Sequence, residues 1–163
     1  MFFLVGKRSA FTLIEMLVVV AVIGILSSVL LTALGPARNK AKDARIIQEI
    51  NQVRAYAETL YNGNYEALPE IEPPFGGGED NILIGDDILQ ELFDDMKKNG
   101  GRLVIKRIDS AQYSAYSPLN TTVPEENNPE VQLIQYYCVD STGRNSYTTD
   151  ENYLLNRNNL LCP

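Results

Sequence analysis

The sequence predicts an α+β fold in which a long N-terminal helix, apolar along its first half and amphipathic along its second, packs on a small antiparallel β-sheet. Three observations carry this prediction. Met16 to Leu34 is a run of nineteen residues without a charge. Ile46, Ile50, Val53, Ala57 and Leu60 then recur at spacings of four and three, the period of a single helix face. The apolar runs of the C-terminal half are short, rich in β-branched residues and tyrosine, and separated by turn formers, as strands are. At 163 residues the chain has room for one compact domain of about 100–130 residues beside that helix.

Phe11 to about Tyr61 reads as one helix. Its apolar part, counted from Met16, or from Phe11 if Glu15 is tolerated, spans about 28–36 Å at 1.5 Å per residue, enough to cross a hydrocarbon core of about 30 Å. Composition leaves two other readings open. A buried core helix is one, although a soluble core seldom needs so long a stretch without a solvent-facing polar position. The other is a secretory signal peptide with Lys7 and Arg8 as its basic start, cleaved near Ala33 to Ala37 to release a soluble protein. Against it stand an apolar run longer than the usual 7–15 residues and the charge of Glu15 inside its beginning. Gly35-Pro36 interrupts the helix: proline removes a ladder hydrogen bond and crowds the preceding turn, so a kink or local melting is expected there.

Beyond the proline, Arg45, Gln48, Glu49, Gln52 and Glu58 fill the positions between the apolar stripe, which needs a sheet or another helix to cover it. Asn62-Gly63-Asn64 stops the helix, and Pro69 to Gly78 is a surface loop. A short helix opened by Asp86 or Asp87 follows, with Ile88, Leu89, Leu92, Phe93 and Met96 inward. Lys97 and Lys98 suit its C-terminal dipole, and Gly100-Gly101 ends it. Strands are expected at Leu103–Ile108, Gln112–Ser117 and Val131–Val139, the first two joined by a tight turn at Asp109-Ser110. Pro118 to Pro129 and Asp140 to Asn158 read as polar excursions, and no internal repeat is present.

The formal charge is −7, with 14 Lys+Arg against 21 Asp+Glu. An acidic body repels phosphate backbones, which disfavours charge-driven nucleic-acid binding. Cys138 and Cys162, in a domain read as exported, suggest one disulfide, the alternative being two buried thiols. Closing a loop of that length contributes on the order of 3.5 kcal/mol in the chain-entropy account.

Lys7-Arg8-Ser9-Ala10-Phe11-Thr12-Leu13-Ile14-Glu15, followed by the apolar helix, resembles the prepilin signature of the type IV pilin family, which includes the pseudopilins of type II secretion. The downstream order of long helix, loop, strands and cystine-closed tail adds to the resemblance. It implies a pilin-like fold in three parts: a cytoplasmic leader at residues 1–10, a membrane-spanning and filament-core helix at 11–35, and an amphipathic helix with its α/β domain at 36–163. It implies that a prepilin peptidase cuts between Ala10 and Phe11, that the new Phe11 amine is methylated, and that Glu15 is the assembly carboxylate. The family usually places glycine before the cut. Here Ala10 stands there, the nearest substitute in size, and processing is expected.

The implied product is a structural subunit of a type IV pilus or pilus-like filament, a homo-oligomer, with no enzymatic activity and no cofactor of its own. The alternatives are a pseudopilin of a secretion system and a non-assembling, membrane-anchored binding protein. An assembly ATPase and a platform membrane protein are the further implied partners. The precursor is expected to cross the inner membrane once with its N-terminus in the cytoplasm, and the mature chain to stand in an extracellular or periplasmic filament. A count of basic residues opposes this, because Arg38, Lys40, Lys42 and Arg45 follow the span and only Lys7 and Arg8 precede it. The cysteine pair and the leader outweigh the count. The basic cluster is then free to pair with acidic groups of neighbouring subunits or with lipid headgroups, or to be a solvated face.

The resemblance gives Glu15 a mechanism. After cleavage the Phe11 amine is positive and Glu15, one helical turn away, is negative, so a neighbouring subunit's amine can neutralise Glu15 and mark the axial register. Ala21, Gly24 and Ser28 permit close helix approach, although ordinary membrane-helix composition gives the same residues. Some pseudopilins hold a structural calcium ion in the C-terminal loop, which makes Asp140, Asp150 and Glu151 weak candidates; their spacing matches no EF-hand loop. The chain has no histidine, which removes Ser-His-Asp and Cys-His catalysis and most zinc sites. Asp86-Asp87, Asp94-Asp95 and Glu125-Glu126 read as capping or solvated charges, and Gly76-Gly77-Gly78 lacks the Lys-Ser/Thr of a phosphate loop.

Overall fold

The structure is a computed structural model that describes residues 11–72, 85–107, 109–150 and 161–163. Six elements follow in order: α1 (Leu13–Leu60), α2 (Asp87–Lys98), β1 (Val104–Arg107), β2 (Tyr113–Pro124), β3 (Gln132–Asp140) and β4 (Asn145–Thr148). The chain divides into two compact units, Met1–Ala37 and Arg38–Pro163.

In the first unit α1 is exposed along its whole described length and long and apolar enough to cross a membrane. It is therefore not the buried core helix of a soluble domain. The backbone stays helical through Gly35 and Pro36, so the expected local melting does not occur. Proline removes only one ladder hydrogen bond, and helical turns on both sides hold the geometry.

In the second unit the amphipathic half of α1 lies on a four-stranded antiparallel meander of order β1-β2-β3-β4. Ile46, Ile50, Val53 and Ala57 are fully buried and join Leu103, Ile105, Tyr113, Ala115, Tyr137 and Val139 of the sheet in one core. Residues of opposite parity, Val104, Tyr116, Tyr136 and Cys138, point to the other face and form a smaller cluster with Cys162. Both faces of the sheet's centre are thus covered, which is why these strands read as continuous apolar runs rather than alternating ones.

The short helix α2 shows how sequence sets its limits. Asp86 is the N-cap, its carboxylate accepting the Ile88 and Leu89 N–H groups at 3.0 Å. At the other end Gly101 N–H donates to Met96 O and Gly100 N–H to Lys97 O, the paired bonds of a Schellman turn. Gly100 has φ +83°, and a Cβ there would strike the Asn120 side chain, so two independent constraints require glycine. Leu89, Leu92, Phe93 and Met96 are buried, but Ile88 is 51% exposed, against expectation. At 100° per residue it lies about 90° from the centre of that stripe, beyond the edge the core covers.

Two further corrections concern the strands. The second strand does not stop at Ser117 but runs to Pro124, and Asn145–Thr148 forms β4 inside a stretch read as a polar excursion. Both owe their extension to pairing with β3 rather than to their own composition. In β2 the register slips between Pro118, opposite Tyr136, and Thr122, opposite Ile134. A proline, which has no N–H for the ladder, is tolerated at such a bulge.

Candidate functional site

The N-terminal end of α1 is built by a reciprocal cap. Thr12 N–H and Thr12 Oγ1 both donate to Glu15 Oε2 at 2.8 Å, and Glu15 N–H donates to Thr12 Oγ1 at 3.3 Å. This is the Thr-x-x-Glu capping box, in which side chains satisfy backbone donors that the first helical turn leaves over. Sequence reading missed it, although the Thr12-Leu13-Ile14-Glu15 spacing carries the signal. Among the described residues no cation pairs with Glu15, and its Oε1 receives no hydrogen bond.

Phe11 precedes the helix and is 76% exposed. Ala10, the leader and the basic pair Lys7-Arg8 lie outside the described residues, as does Glu151. Along the apolar segment Ala21, Gly24 and Ser28 are exposed, and Ser28 Oγ donates back to Ile25 O. A methyl group at Gly24 or Gly35 would meet nothing within 4 Å, so the packing of the protomer does not demand these glycines.

The basic cluster behind this segment divides. Arg38, Lys40 and Lys42 are exposed, whereas Arg45 Nε lies 2.7 Å from Asp95 Oδ2 and 3.0 Å from Glu49 Oε1. Arg45 thus ties α1 to α2 within one chain. Tyr56 Oη donates to the Asp86 carboxylate and fastens the other end of α2. Burial pushes the Glu49 carboxyl above the ordinary range, and the Arg45 guanidinium only partly pulls it back.

Asp43 is the group that sequence reading overlooked entirely. It is buried, and its carboxylate accepts Asn120 N–H at 2.6 Å, Asn120 Nδ2 at 3.0 Å, Thr121 N–H at 2.9 Å and the Thr121 hydroxyl. These two backbone amides belong to the bulge of β2, so α1 supplies acceptors the β2–β3 ladder cannot. Burial alone would raise the Asp43 pKa, but the Thr121 and Asn120 hydrogen bonds outweigh it and hold the carboxyl below the ordinary range.

At the far side of the sheet Cys138 and Cys162 are joined in a disulfide that spans 24 positions. Asp140 beside it accepts from Thr142 N–H, Thr142 Oγ1, Arg144 N–H and Cys162 N–H, so protein donors occupy both of its oxygens. Asp150 is exposed. No group of three or more metal-ligating side chains occurs among the described residues.

The family model described as "Prokaryotic N-terminal methylation motif" matches residues 6–31. The match takes in the cut expected at Ala10-Phe11, the capping box and most of the apolar segment, and it is the type IV pilin and pseudopilin signature. With the long helix on a four-stranded antiparallel sheet, the arrangement is pilin-like. No curated protein and no solved structure matches the chain.

Proposed function

We propose that the chain is a prepilin, cut after Ala10 and polymerised through α1 into a pilus or pilus-like filament as a structural subunit without catalytic activity. The observation that carries this is the capped carboxylate of Glu15 at the head of an apolar, uncovered helix, within the matched motif. A helix so apolar and so unburied in the protomer needs lipid or other copies of itself around it.

In this reading Glu15 works in two steps. Before assembly Thr12 holds its carboxylate in place, and a carboxylate offers about four acceptor sites, so Oε1 has capacity for another donor. On assembly the methylated Phe11 amine of a neighbouring subunit fills that capacity, which neutralises the charge and fixes the register. A prepilin peptidase makes the amine, and an assembly ATPase with a platform membrane protein drives polymerisation. The precursor crosses the inner membrane once, and the mature body stands outside the cytoplasm.

Mass spectrometry of the mature N-terminus tests the processing step. A methylated Phe11 is expected; an intact Met1 or a start near Ala37 would sink the proposal in favour of an anchored or a secreted protein. For the charge step, Glu15→Ala is expected to insert into membranes at least as well as the wild type, since a costly charge is gone, while filaments fail to form. Normal filaments from that variant would overturn the neutralisation step. Filaments seen at the cell surface mark a pilin, and a periplasm-confined assembly that supports secretion marks a pseudopilin.

A further inference from the structure

The amphipathic half of α1 has two flanks, and they carry opposite charge. On one, α1 and α2 enclose a cleft of about 510 Å³ whose lining has five carboxylates, Glu49, Asp87, Glu91, Asp94 and Asp95, against two cations, Arg45 and Lys98. Glu49 and Asp95 are engaged by Arg45, while Asp87, Glu91 and Asp94 are exposed and in no ion pair among the described residues. Ile88, half exposed, stands beside them.

Lys40 is nine positions before Glu49, and Arg54 is nine positions after Arg45. Nine residues at 100° each is two and a half turns, so Lys40 and Arg54 lie half a turn away from that cleft, on the opposite flank of α1. Lys40 lines a second concavity of about 370 Å³ with Ile47, Leu119 and Tyr147. Arg54 Nη1 donates to Gly143 O in the β3–β4 turn, which brings the exposed Arg144 to the same flank. Lys40, Arg54 and Arg144 are likewise in no ion pair among the described residues. Two acidic groups of α1 on this flank are already committed, Asp43 to Asn120 and Thr121 and Glu58 to the Tyr65 and Tyr113 hydroxyls.

We infer that the acidic α2 flank of one copy docks on the basic Lys40–Arg144 flank of the next copy. Two different patches on opposite sides of one chain make a heterologous contact, and a heterologous contact that does not close into a ring propagates as an open helical assembly. Both flanks also expose apolar surface, Ile88 on one and Tyr147 on the other, so that charge sets register while burial adds affinity. The inference rests on the filament reading and assigns it a contact made by the second unit, Arg38–Pro163.

Charge reversal of each flank, in the full chain expressed in cells that assemble the wild type, is the test. E91K/D94K makes both flanks basic, and K40E/R144E makes both acidic; all four positions are exposed, and far-UV circular dichroism with the intact cystine confirms folding. Each variant alone is expected to lose filaments by about tenfold or more, as like charges then meet. Co-expression of the two is expected to restore filaments with the variants in equal amounts, because every contact again joins opposite charges. Wild-type filaments are expected to loosen as salt rises, since these pairs are solvent-exposed.

Either variant assembling alone at the wild-type level, or failure of the mixture to rescue, would overturn this contact and leave the filament reading standing. Absence of filaments from the wild type itself would sink the filament reading instead.

Discussion

Asp43 is a buried anion in no ion pair among the described residues, held by four hydrogen bonds from the bulge of β2. Such a group stabilises only in its ionised form. Its pKa is lowered in the fold, so the stability it contributes is fully present above the ordinary aspartate value and is lost as pH falls through the folded value. Asp43→Asn keeps the shape but turns an NH₂ group toward donors and orphans at least one backbone N–H. A loss of about 2–3 kcal/mol at pH 7 is expected, measured by urea unfolding of the full chain in mild detergent. The gap to the wild type should close in strong acid. A gap that stays constant down to the lowest accessible pH would show that the bulge needs the side chain's shape and not its charge.

Helix α2 is stitched to α1 near both ends, by Tyr56 on Asp86 and by Arg45 on Asp95. Glu49 sits between these stitches, 2% exposed, and shares the single Arg45 guanidinium with Asp95. Its pH dependence has the opposite sign to that of Asp43. Because its folded pKa is raised, the unfolded chain ionises first, and stability falls as pH rises above about 4.5, the ordinary glutamate value. Glu49→Gln is therefore expected to match or exceed the wild type at pH 7 by up to about 1 kcal/mol, with the difference vanishing near pH 4. Thermal melting across that range checks it, and a large destabilisation at pH 7 would mean that ionised Glu49 is net stabilising.

Elements of this kind differ in how legible they are. The α1 stripe, α2 and the cores of β1 to β3 could be read because burial imposes a period on local sequence. The second half of β2 and all of β4 are polar, and they become strands only through partners on β3. The Thr12–Glu15 cap was within reach of sequence because its bonds span three positions. The Asp43–Asn120 bond, 77 positions long, was not.

At the scale of the whole molecule, the sheet is shielded on two sides by different means. One face is covered by α1 and α2; on the other, Cys162 is bonded to Cys138 of β3, and its N–H donates to Asp140. Among the described residues the second cluster has five members, two of them the cystine itself, so the cross-link is a direct part of what holds that face together. Replacing both cysteines by serine is expected to cost about 2–4 kcal/mol and to raise amide exchange first in β4 and in the Asp140–Arg144 turn, with the α1 core following only at global unfolding. The cystine also bears on topology. Thiols persist in a reducing cytoplasm, and disulfides persist beyond the membrane, so the basic residues after the span and the cystine predict opposite sides for the C-terminal body. If the body stands outside, chain isolated under thiol-blocking conditions migrates faster without reductant than with it, and neither cysteine is alkylated beforehand. Two freely alkylated thiols and unshifted migration would place the body in the cytoplasm, and with it the basic cluster on the side that the residue count favours.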